Sequence, residues 1–126
     1  MKVFISIPMN GRTDEEVFAE IKNIKKIFTE YAKEKLPGEE IEFVNTYVQE
    51  QAPNTCVTEA LWYLGESIKI LSMCDAVIFA SGYRDARGCK IEYEVARSYD
   101  LKYYKLFTDY TTRYTILGES RWEKVL

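Results

Sequence analysis

The segment Asp75-Ala76-Val77-Ile78-Phe79-Ala80 restricts the fold more than any other stretch of the chain. It is of strand length, and after its opening aspartate it carries no polar residue. A strand without alternation has to be covered on both faces, which is the situation inside parallel sheets. Parallel neighbours need crossover connections, and these are usually helices.

The rest of the chain supplies that pattern. Val3-Phe4-Ile5-Ser6-Ile7 reads as a first strand, ended by the turn residues Pro8-Met9-Asn10-Gly11-Arg12. Thr13 and Glu16 form a capping box. Val17, Ile21, Ile24, Phe28 and Tyr31 follow at helical spacing, until Pro37-Gly38 stops the helix. Ile41–Val44 is a second strand and Asn45–Asn54 a loop. A second helix is expected from Thr55 to Met73, with Val57, Leu61, Leu64, Ile68 and Leu71 as its core stripe.

The strand Asp75–Ala80 is third, followed by the loop Ser81–Gly88 and a helix from Cys89 to Tyr99. Leu101–Phe107 is a fourth strand, a fifth is expected near Tyr114–Leu117, and Glu119–Val125 is read as a short helix. The whole 126 residues fit one α/β domain: a doubly wound, flavodoxin-like or Rossmann-like parallel sheet of four or five strands with flanking helices. Ligands of such folds sit at the carboxyl ends of the strands, so the loops Pro8–Arg12 and Ser81–Gly88 share one edge.

Composition narrows the chemistry. The net charge of −3 argues against a nucleic-acid polymer or an anionic membrane as partner. No stretch approaches the roughly 20 apolar residues of a membrane span. Three cysteines, an odd number without close pairing, speak for a reducing, cytoplasmic setting. The chain has no histidine, which removes Ser-His-Asp and Cys-His catalysis and the commonest metal ligand. Carboxylates, tyrosines and backbone amides are left to carry any reaction, and no metal or organic cofactor is expected.

On the helix after Gly88, Ile91, Val95 and Tyr99 mark an apolar face at about 100° per residue. Glu92 falls within that arc beside Ala96, whereas Glu94 lies outside it with Lys90 as an i,i+4 partner. An inward carboxylate is costly unless it is paired or working. It either caps free amides at its own helix start or acts as a nucleophile, as at the anomeric carbon in retaining glycosidases. A second group would then protonate the leaving group. Asp85 is the nearest in sequence, unless Arg84 or Arg87 pairs with it, and Glu66 and Ser67 on the second helix are others. Gly11 and Arg12 before a helix start form a plausible anion cradle, with Arg87 serving from the other side. Asp75 is read as structural. Cys89 has no base to activate it. Trp62, Ile70 and Met73 lie opposite the core stripe of the second helix, and suggest a homo-oligomer.

Gly88-x-x-x-Glu92-x-x-x-Ala96 after a buried strand, together with the opening Val3-Phe4-Ile5-Ser6-Ile7-Pro8-Met9-Asn10-Gly11, resembles the nucleoside 2-deoxyribosyltransferase family, including its deoxynucleoside monophosphate N-glycosidases. The similarity spans roughly the first 107 residues. It implies a glutamate nucleophile at C1′ of a nucleoside or nucleotide, here Glu92. It also implies sugar and base contacts from the first loop, Ile7, Pro8, Met9, Asn10 and Gly11. Arg12, and Ser81, Gly82, Tyr83, Arg87 and Gly88 of the facing loop, are expected to bind substrate from their place at the same sheet edge. Two positions depart from the family pattern. Ser67 stands where an aspartate is usual, and Ala86 stands where an aspartate or serine is usual, with Asp85 one step away. A non-catalytic nucleotide binder on the same scaffold, or another enzyme class on a flavodoxin-like sheet, are the alternatives.

Overall fold

The computed structural model describes residues 1–45, 50–108 and 114–119. The chain runs through β1 (Lys2–Ser6), α1 (Asp14–Lys35), β2 (Glu42–Phe43), α2 (Glu59–Leu71), β3 (Ala76–Phe79), a single 3₁₀ turn (Tyr83–Asp85), α3 (Arg87–Ser98), β4 (Lys102–Thr108) and β5 (Tyr114–Glu119). The strands form one sheet in the order β2-β1-β3-β4-β5. The first four are parallel, and β5 runs antiparallel to β4. This is a Rossmann-like α/β architecture, with the strand order of the flavodoxin-type doubly wound sheets. The expected fifth strand is present but reversed, as an edge strand on a parallel sheet commonly is.

Alternation along the strands sorts side chains to two cores. Val3, Ile5, Ala76, Ile78, Tyr104 and Leu106 face α1, where Val17, Ile24, Phe28 and Ala32 complete the first core. Phe4, Val77, Phe79 and Tyr103 face α2 and α3, meeting Leu71, Cys89 and Ala96. Ser6 is two residues beyond Phe4 and therefore shares this second face. Asp75 is structural, as expected: its Oδ2 accepts the Lys2 amide at 2.7 Å and ties β3 to β1.

The Thr13–Glu16 capping box forms in full at the start of α1. Helix α2, by contrast, begins at Glu59 rather than Thr55. Cys56 closes a turn onto the Pro53 carbonyl at 2.9 Å, so Val57 precedes the helix and is 98% exposed. Leu61 is exposed too, and of the expected stripe only Leu64, Ile68 and Leu71 turn inward. Ile70 packs on the second core, which removes it from the face assigned to a partner subunit; Met73 is exposed and Trp62 half-buried. The helix expected over Glu119–Val125 does not start at Glu119, which ends β5; residues 120–126 lie outside the described residues. No described helix is long and apolar enough to cross a membrane.

Candidate active site

The buried face of α3 is set by Cys89, Glu92 and Ala96, spaced three and four residues apart. Ile91 and Tyr99, expected on that face, are exposed. The stripe is rotated toward Cys89, and Glu92 lies at its centre with only 6% of its surface accessible. Glu94 remains outside, paired with Arg97 at 3.5 Å rather than with Lys90.

Both oxygens of Glu92 are held by hydroxyls from other elements. Ser6 Oγ, at the carboxyl end of β1, donates to Oε1 across 2.8 Å. Ser67 Oγ, on α2, donates to Oε2 across 2.7 Å. The hydrogen bonds of the Glu92 carboxylate thus go to hydroxyls of β1 and α2, where the capping alternative required amides of its own helix start. Burial pushes the Glu92 carboxyl above the usual carboxylate range, and the two serine hydrogen bonds oppose that rise by favouring the anion. Each carboxylate oxygen has a second lone pair beyond the one a serine occupies.

The carboxylate borders a cavity of about 500 Å³, within the range of small-molecule sites. Of the first loop, Ile7, Pro8, Met9 and Asn10 line it. Ala60, Tyr63, Leu64 and Ser67 line it from α2 at i, i+3, i+4 and i+7, one stripe of the helix. Ala86, Arg87, Gly88 and Cys89 line it from the start of α3. The two predicted loops do share an edge: a side chain built on Gly82 would meet Pro8 Cγ at 4.0 Å.

Several predicted contacts lie elsewhere. Arg12 is an internal clasp, with Nη1 at 2.7 Å from Glu20 Oε1 and 2.9 Å from the Pro8 carbonyl, so the proposed anion cradle lacks its cation. Gly11, with φ of +74°, and Gly82, with φ of +86°, shape their turns and are not among the residues lining the cavity. Ser81 is exposed beyond it. Tyr83 is buried in an aromatic group, its ring centroid 5.3 Å from that of Phe79 and 5.1 Å from that of Tyr93. Asp85 is exposed on the 3₁₀ turn and is not among the residues lining the cavity. Glu66 is committed to Lys69 at 2.9 Å.

The sequence reading missed Ser6 and Tyr63. Ser6 carried a signal: it is the single polar residue of the run Val3–Ile7, on the face of the sheet where α3 packs. Tyr63 shares a helical stripe with Ser67, but the expected helix start at Thr55 obscured which stripe faces inward. Burial pushes the Cys89 thiol up to about 11, which keeps it protonated and inert. All three cysteines are free thiols. Among the described residues, no group of three or more Cys, Asp or Glu side chains is placed to hold a metal ion.

Fold and site together define a Rossmann-like α/β protein with a buried, serine-clamped carboxylate at the carboxyl edge of its parallel sheet. The family model described as "Domain of unknown function (DUF4406)" matches residues 1–104, and the chain belongs to that family. The matched stretch contains Ser6, Tyr63, Ser67 and Glu92. No curated protein and no solved structure matches the chain.

Proposed function

We propose that the protein cleaves or transfers the N-glycosidic bond of a (deoxy)nucleoside or nucleotide, with Glu92 as the nucleophile at C1′. The observation that carries this reading is the buried Glu92 carboxylate, open to a nucleoside-sized cavity and oriented by two hydroxyls. Each hydroxyl donor engages one lone pair of its oxygen and leaves the other free for attack. A sugar seated over Ser6 and Ser67 would present C1′ to one free lone pair. The C1′–O bond forms as the C1′–N bond breaks, and the electron pair leaves with the base. A second base or water then attacks C1′ and releases Glu92. The transition state has oxocarbenium character, and a carboxylate in a site of low dielectric stabilises it.

Ser67 replaces the second carboxylate that the resemblance would place beside the nucleophile. It serves here as a hydrogen-bond donor that favours the ionised form of Glu92 against the effect of burial. Arg87, at the start of α3, is suited to an anionic group such as a 5′-phosphate. The reading further includes a cytoplasmic role in nucleotide metabolism and assembly into a homo-oligomer through the exposed side of α2.

A screen of nucleosides and their monophosphates, each with and without an added free base, tests the reaction. Base release that Glu92→Ala abolishes supports it. If no substrate is cleaved while a nucleotide still raises the melting temperature, the site is a binding site instead.

A further inference from the structure

A glutamate nucleophile forms the ester, but a neutral base also needs a proton as it departs. We propose that Tyr63 is the acid that protonates the leaving base, an assignment that rests on the glycosidic reading of Glu92. The chain has no histidine. Asp85 is outside the cavity, and Glu66 is paired with Lys69. The hydroxyl protons of Ser6 and Ser67 are both directed at Glu92. Among the described residues lining the cavity, this leaves Tyr63 as the hydroxyl whose proton is not committed to the nucleophile.

Its position suits the role. Tyr63 lies one helical turn before Ser67 on the stripe of α2 that faces the cavity, so the two Cβ atoms are about 5–6 Å apart. Ser67 marks the place of the carboxylate and hence of C1′. The phenol, reaching further than a serine from the next turn, is set where the base extends from the sugar. The Ala52 amide donates to the Tyr63 oxygen at 3.2 Å. That bond orients the hydroxyl with its proton away from the amide, and places a donor on the atom where negative charge develops. The ring is fixed edge-on against Trp62, with centroids 5.1 Å apart.

The step balances. The C1′–N electron pair passes to the base nitrogen, which takes the proton from Tyr63 Oη as Glu92 bonds to C1′. In the second half, the incoming base or water gives its proton to the tyrosinate as it attacks C1′, and both residues return to their starting states.

A base that is already cationic leaves as a neutral molecule and needs no proton. The test compares Tyr63→Phe with the unaltered protein on guanosine and 2′-deoxyguanosine, their N7-methyl derivatives, and the 5′-monophosphates of each. The variant keeps the ring and removes only the hydroxyl. The expected result is a fall in kcat of about 100-fold for the unmethylated substrates, the usual scale of general acid catalysis, and less than about threefold for the N7-methyl ones. Equal losses on both classes, or no loss on either, would overturn the assignment and leave the role of Glu92 standing. If the unaltered protein cleaves neither class, the glycosidic reading fails and this assignment with it.

Discussion

Ser67 Oγ donates to Glu92 Oε2 across 2.7 Å, and this bond joins α2 to α3 where both border the cavity. Ser6 makes the matching bond from the end of β1. Three elements distant in sequence thus fix one carboxylate. A hydrogen bond to a charged group contributes about 1.5–3 kcal/mol, so Ser67→Ala or Ser6→Ala should lower kcat/KM roughly ten- to a hundredfold. Each loss also removes a group that favours the anion. The acid limb of the pH profile should therefore move to higher pH in both variants, as steady-state kinetics between pH 4 and 8 would reveal. An unmoved limb would mean that the serines only fill space.

The raised Glu92 carboxyl makes stability depend on pH in a particular direction. Well below the ordinary carboxyl range, folded and unfolded chains both carry the protonated acid. As pH rises, the unfolded chain ionises first, and folding is disfavoured increasingly until the raised folded-state value is passed. Glu92→Gln, which carries no charge at any pH, should then be more stable than the unaltered protein at neutral pH. That advantage should shrink as pH falls through the usual glutamate range. Thermal melts of the two proteins across pH measure it, and an advantage that grows toward acid would be inconsistent with burial as the dominant cause.

Asp85 was the nearest acid by sequence and is exposed outside the cavity. Asp85→Asn should leave base release within about twofold, because a residue that touches neither ground nor transition state changes neither kcat nor KM. A tenfold fall would show that the 3₁₀ turn closes over bound substrate.

Phe28 is fully buried, its ring 5.0 Å from that of Tyr104 and 6.1 Å from that of Phe43, on the face of the sheet opposite the site. Truncation to alanine should cost about 3–5 kcal/mol, a large part of the stability of a domain this size. Urea unfolding would register the loss. A cost below 1 kcal/mol would place the ring in a pocket that collapses around the gap.

The parallel sheet was legible because Ala76–Ala80 has no polar interruption and the helices on either side have clear stops. Glu92 was legible because three- and four-residue spacing placed it with Ala96. Ile91 and Tyr99 were misread for a physical reason: the inner face of α3 is narrow, and Cys89, a small residue at the first turn, takes the place that Ile91 was given. Val57 looked like the first core residue of α2, but the turn from Pro53 to Cys56 delays the helix until Glu59. Ser6 and Tyr63 are held by tertiary neighbours, Glu92 and Ala52, and spacing along the chain does not encode such pairs.

The central claim is that Glu92 bonds covalently to the sugar. A 2′-fluoro-2′-deoxynucleoside destabilises the oxocarbenium-like transition states of both steps and, paired with a good leaving base, lets the ester accumulate. Intact-mass and peptide analysis after incubation should show one added fluoroglycosyl group on the peptide containing Glu92, and none in Glu92→Gln. Base release with no adduct at Glu92, or an adduct on another residue, would contradict the account.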